Sequence, residues 1–126
     1  MANSLLPSAA IDAAGADHVR LAYDYLDAGD FDAYGSLLDE HTHVCGIGPD
    51  RARGRDHAVR AAKARAESAG RHHLYKVIVD NGNVVATGRY VGLSAAAAFD
   101  FADVFTLSDD GLLLSHRRFR YIEGPG

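Results

Sequence analysis

Cysteine, long apolar runs and basic charge are all scarce in this sequence. Cys45 is its single cysteine, which excludes an intrachain disulfide and a cysteine-built zinc cage. That usage predicts a reducing, cytoplasmic setting. No apolar run approaches the roughly 20 residues of a membrane-crossing helix, so no membrane partner is expected. Thirteen Lys and Arg against seventeen Asp and Glu leave a net charge of −4. That sign argues against a duplex nucleic-acid binder. The opening stretch MANSLLPSAAIDAAGADH lacks the basic start of a signal peptide and carries Asp12 early. No G-x-G-x-x-G, Walker or G-x-S-x-G pattern occurs, so no cofactor and no serine-nucleophile elbow is expected. Nothing repeats at a fixed period, which excludes solenoids and propellers.

What is present fits one globular domain. The 126 residues are 48% apolar and 24% charged, enough for a real core without staples. Residues 1–14, small and polar with Pro7, read as a flexible N-terminal arm before a single domain over 15–126. Val19, Ala22, Tyr23 and Leu26 fall at helical spacing between Ala16 and Ala28, and Gly29 is a helix stop. Asp30 caps a short second helix carrying Phe31, Tyr34, Leu37 and Leu38. A short strand follows over His41–Ile47, then a third helix over His57–Ser68, capped by Asp56 and ended by Gly70.

After Gly70 the apolar period changes from 3.6 to 2. Leu74–Val79 and Val84–Val91 flank Asn81-Gly82, a strong hairpin signal. Ala97–Leu107 and Leu112–Ile122 flank a second turn at Ser108–Gly111. Helices first and four antiparallel strands last predict an α+β domain with helices on one face of a sheet.

Counting out from Asn81-Gly82 pairs His73 with Tyr90 and Tyr75 with Gly88, which turns His73, Tyr75 and Tyr90 inward. A slip of one residue would exchange His73 for His72. Counting out from the second turn pairs Asp103 with His116 and Phe101 with Arg118. Asp103 stands in a row of aromatics, Phe99, Phe101 and Phe105. An acid there must be paired, protonated or functional. A raised carboxyl pKa would let it act as an acid or donate to a developing enolate. The alternative is a structural cross-strand pair that pins the register. Tyr23 and Asp27, four apart, share a helix face. An aspartate on one imidazole nitrogen makes the other a better base, so Asp27 with His73 can move a proton next to a carbonyl. The H-T-H (41–43) and R-H-H (71–73) pieces lack the supporting ligands of a metal site, and none is predicted.

The L-D-A-G-D-F-D helix end, the R-G-R-D entry to the third helix and the two long hairpins resemble the NTF2-like superfamily. Within it the chain is most similar to the SnoaL-like polyketide cyclase, ketosteroid isomerase and scytalone dehydratase-type branch. The resemblance spans about residues 16 to 122. It implies a cone-shaped fold, with three N-terminal helices packed on a curved, mostly antiparallel sheet around a deep pocket, and a homodimer. F-A-D-V-F-T-L puts Asp103 on the isomerase's oxyanion-binding acid and His116 on a pocket-lining position. The isomerase tyrosine falls on Ala22, beside Tyr23, and its base near Cys45. The dehydratase branch instead matches Asp27 and His73, with Leu26 where it has a tyrosine. The Arg-x-Asp pattern of limonene epoxide hydrolases does not occur.

These readings converge on Asp27, His73, Asp103 and His116 as catalytic residues. Tyr23, Tyr75, Tyr90, Cys45, Phe101 and Arg118 would bind substrate. The expected activity is cofactor-independent acid–base chemistry on a hydrophobic, carbonyl-bearing small molecule: cyclisation, dehydration or isomerisation, in bacterial natural-product metabolism. A non-catalytic binding or dimerisation module, and epoxide opening by Asp103 with His116, are the competing readings.

Overall fold

Gly15, Val19, Ala22 and Tyr23 form the buried stripe of a 21-residue helix, α1 (Ser8–Ala28). In the computed structural model, which describes residues 8–48, 51–65, 70–93 and 98–121, this helix starts inside the segment expected to be an arm. The reason lies in Asp12. Its carboxylate accepts from the backbone N–H groups of Asn81 (3.1 Å) and Gly82 (2.8 Å), tying the helix start to a distant turn. Residues 1–7 of the expected arm lie outside the described residues.

The helix stops where Gly29 takes a positive φ of 73°. Asp30 N–H returns to the Tyr25 carbonyl and Gly29 N–H to that of Leu26, which closes the end. The Asp30 side chain then accepts from Ala33 N–H and starts α2 (Phe31–Ser36). Leu38, expected in that helix, instead opens strand β1 (Leu38–Cys45). The two-residue strand β2 (Ala52–Arg53) was not foreseen. Next comes α3 (Arg55–Arg65), which places Asp56 in the first turn rather than at the cap. The expected continuation of this helix beyond 65 falls on residues outside the described set.

Two long hairpins follow: β3 (Arg71–Asp80) with β4 (Asn83–Val91), and β5 (Phe99–Leu107) with β6 (Leu113–Tyr121). The six strands form one mixed sheet in the order β2-β1-β6-β5-β4-β3. Among the described residues only β1 and β6 run parallel. Two helices therefore precede the first strand, and the third follows β2. The core lies between α1 and the sheet, where Val19, Val84, Ala86 and Phe105 are at most 1% exposed. Burying each of the larger of these side chains contributes roughly 1.5–3 kcal/mol. No helix among the described residues is long and apolar enough to cross a membrane.

Both hairpins depart from simple register. Near the first turn the expected pairs hold, with Val79 opposite Val84 and Val77 opposite Ala86. Tyr75 is then an extra residue, and beyond it Leu74 faces Gly88 and His72 faces Tyr90. A one-residue bulge reverses which side chains point inward. In the second hairpin the loop is longer and Leu114 is extra. The partner of Asp103 is thus Arg118, not His116; Phe105 faces His116, and Phe101 faces Arg120. This shift is of two residues, so the expected side chains keep their face.

Candidate active site

Tyr23 and Asp27, one helical turn apart on α1, reach two separate partners on the sheet. Asp27 Oδ1 lies 2.6 Å from His72 Nδ1, and its Oδ2 accepts the backbone N–H of the same residue at 2.8 Å. Both side chains are largely buried, 16% and 9% exposed. A carboxylate can only accept, so Nδ1 carries the proton and Nε2 is left as the basic nitrogen. Among the described residues nothing hydrogen-bonds to Nε2. The imidazole sits among the rings of Tyr23 (4.9 Å), Tyr90 (5.0 Å) and Phe101 (5.7 Å).

The Asp27 partner is thus His72, and the expectation for His73 is corrected. His73 is exposed on the opposite face, because the Tyr75 bulge inverts the alternation between it and the turn. The signal lay in Gly88. A Cβ built there would stand 2.4 Å from the His73 carbonyl oxygen and 3.1 Å from Leu74 Cα. Glycine in a strand interior often marks such a close approach or a bulge.

Asp103, 0% exposed, is the hub of the second cluster. Arg118 donates to both of its oxygens, Nε to Oδ1 and Nη2 to Oδ2, each at 2.9 Å. Tyr23 donates its hydroxyl to Oδ2 at 2.5 Å. His116 Nε2 is 3.0 Å from the same oxygen but is not aligned as a hydrogen bond. Its ring stacks on Phe105 at 4.1 Å.

These contacts settle the charge states. Burial alone would raise the Asp103 carboxyl, but His116 and Arg118 outweigh it and hold it well below the usual range. Burial lowers His116 despite its proximity to Asp103, so the imidazole is neutral near pH 7. The Arg118 guanidinium is then what keeps Asp103 ionised. Tyr23 is pushed far up, by burial and then by the Asp103 charge, and keeps its proton. Asp103 therefore cannot be the raised-pKa acid that its aromatic surroundings suggested. It is a fixed anion that positions Arg118 and Tyr23.

The other expected pocket residues divide. Phe101 is buried beneath the Arg118 guanidinium, which lies 4.4 Å over its ring. Tyr90 is half-buried next to His72. Tyr75 does not join them: it is 64% exposed, and its hydroxyl donates to Asp100 on the outer face at 3.2 Å. Cys45 pairs with Arg117 while Val44 pairs with His116, which turns the thiol to the other side of the sheet. Tyr34, buried on α2, is pushed up to about 12, mainly by burial. His41 is exposed beside Glu40. No group of three His, Cys, Asp or Glu among the described residues could hold a metal ion. An open groove of about 480 Å³ between α2 and α3 is lined by Phe31, Arg55 and Val59, and no site residue borders it.

No family model and no curated protein matches the sequence. Solved structures do match the fold. An epoxide hydrolase of the limonene-epoxide-hydrolase-like type from M. tuberculosis is 16% identical, with a TM-score of 0.77 over 87% of this chain and 84% of that one. SalBIII, an epoxide hydrolase/cyclase-like enzyme of pyran ring formation in the polyether salinomycin, is 19% identical, with a TM-score of 0.72 over 84% and 89%. An NTF2-like protein of unknown function from Mesorhizobium loti is 19% identical, with a TM-score of 0.74 over 88% and 93%. The order of helices, the mixed six-stranded sheet and these likenesses agree: the chain has the fold of the NTF2-like superfamily.

Proposed function

We propose that the protein is a cofactor-independent acid–base enzyme acting on a hydrophobic, carbonyl-bearing small molecule, as a cyclase, dehydratase or isomerase. The observation that carries this reading is the two-point hold of Asp27 on His72, through Nδ1 and through the backbone N–H. It fixes the ring and its tautomer, and leaves Nε2 to take a proton from the carbon next to a carbonyl. The imidazolium so formed is stabilised by Asp27. It returns the proton to another carbon or to a departing hydroxyl. The developing enolate oxygen needs a donor. Asp103 is ionised and Tyr23 is committed to it, so that part falls to Arg118, whose Nη1 lies outside the Asp103 pairing.

A panel of cyclic ketones and β-hydroxy ketones in D₂O tests this by deuterium uptake next to the carbonyl. The expected result is uptake that Asp27→Asn and His72→Gln lower by about 10²–10⁴-fold. His73→Gln leaves it unchanged. Wild-type rates in both Asp27→Asn and His72→Gln would overturn the mechanism.

Epoxide opening is the second reading, supported by the names of two of the fold neighbours. Here His72 rather than Asp103 would activate the water, since Asp103 is sealed and fully hydrogen-bonded. Incorporation of ¹⁸O from labelled water into a diol separates it from the first. In either case we propose a homodimer in the cytoplasm, with Ile78 and Phe119, both about half exposed on the outer sheet face, at the contact. Sedimentation of wild type against Phe119→Asp checks the dimer.

A further inference from the structure

The row of rings around His72 continues along the sheet. Tyr90 lies 5.0 Å from the imidazole, Phe99 lies 5.4 Å from Tyr90, and the Arg120 guanidinium sits 4.6 Å over the Phe99 ring. Arg120 is two residues beyond Arg118 on β6, so the two share the sheet face that carries Asp103.

The charges on this face are not all answered. Arg118 is neutralised by Asp103, and Asp27 is engaged by His72. Asp100 is spent on Arg89, on the opposite face. Arg120 makes no ion pair with a described carboxylate; its contact is the face of Phe99. A guanidinium lying on a ring keeps its in-plane N–H groups for a second, planar acceptor. Phe99 thus fixes the position of a cation that no carboxylate among the described residues neutralises, at the outer end of an aromatic row leading to His72.

We infer that Tyr90, Phe99 and Arg120 form a subsite for an aromatic carboxylate, so that the substrate is a planar carbonyl compound bearing an acid group at the end remote from His72. The inference rests on the acid–base reading of Asp27 and His72. The rings take the planar body of the ligand, and Arg120 takes its carboxylate in a two-pronged pair.

The test compares 2-naphthoate with its neutral isostere 2-naphthamide by calorimetric titration at low salt. Wild type binds the acid about tenfold more tightly than the amide. Arg120→Gln removes that preference and leaves the amide affinity unchanged. Arg120→Lys retains part of it, and added salt narrows it. Equal affinities in wild type, binding of neither probe at millimolar concentration, or a preference that survives Arg120→Gln would each overturn the subsite. Binding is read without turnover. Loss of the subsite with His72-dependent deuterium uptake intact refutes this inference alone. The converse refutes the catalytic reading and leaves the subsite standing.

Discussion

Arg118 grips both carboxylate oxygens of Asp103 across the β5–β6 ladder, with neither residue more than 9% exposed. A buried pair of this kind is costly to break from one side, because the remaining charge is stranded. Arg118→Met should therefore destabilise the fold by about 3–5 kcal/mol. Adding Asp103→Leu to it should recover most of that loss, since an apolar pair of similar volume needs no counter-charge. Urea denaturation of both variants measures the difference. A double variant as unstable as the single one would show that Asp103 holds the core together through its other partners.

The same cluster sets an acid limit on stability. The folded pKa of His116 is depressed by burial. As pH falls below about 6.5 the unfolded chain takes up a proton that the folded chain refuses, and stability drops. Asp103 is also depressed, and its contribution is lost as pH falls below 3.8 toward its folded value. Both slopes have the same sign, so stability should rise from acid to about pH 6.5 and level off. His116→Gln should flatten the part between about pH 4 and 6.5, a slope of at most about 1.4 kcal/mol per pH unit. His73→Gln, on the exposed face, should not. Chemical denaturation at a series of pH values reads both.

The fold was legible because periodicity and turn chemistry agreed. Gly29 and Asp30 ended one helix and began the next, and Asn81-Gly82 turned the first hairpin, as their residue types require. Register was less legible because it depends on extra residues that no turn signal reveals. One extra residue at Tyr75 sent His73 and Tyr75 outward and brought His72 in. The shift at Asp103 was of two residues, so the right side chains met while the pairing was wrong. The role of Asp103 was misread for a different reason. Its aromatic neighbours were visible in sequence, but the guanidinium that neutralises it lies fifteen residues away and shows only in the folded ladder.

Gly88 gives a direct test of that bulge. The backbone of β3 presses against it at His73 and Leu74, leaving no room for a methyl group. Gly88→Ala should cost about 1–3 kcal/mol, as overpacking does. It should also disturb the Asp27–His72 pair, since His72 lies just beyond the contact. The His72 imidazole resonances in the ¹⁵N NMR spectrum should move in Gly88→Ala. They should not move in Asp109→Ala, at an exposed residue of the second hairpin's turn. Unchanged resonances in the first variant would mean that the bulge is held by something other than the missing side chain.

Tyr23 touches both halves of the site and invites a catalytic assignment, but its chemistry points elsewhere. Its proton is held in a short bond to Asp103, and burial raises its pKa far above the working range. A phenol so placed neither gives up its proton nor has it free for a substrate oxygen. Tyr23→Phe keeps the ring against His72 and Phe101 and removes only the hydroxyl. It should therefore lower stability by about 1.5–3 kcal/mol, the worth of a hydrogen bond to a charged group. The rate of His72-dependent deuterium uptake should stay within about tenfold of wild type, short of the loss expected for a general acid or base. A stable Tyr23→Phe protein with a thousandfold slower rate would reverse the assignment and make Tyr23 the donor to the substrate.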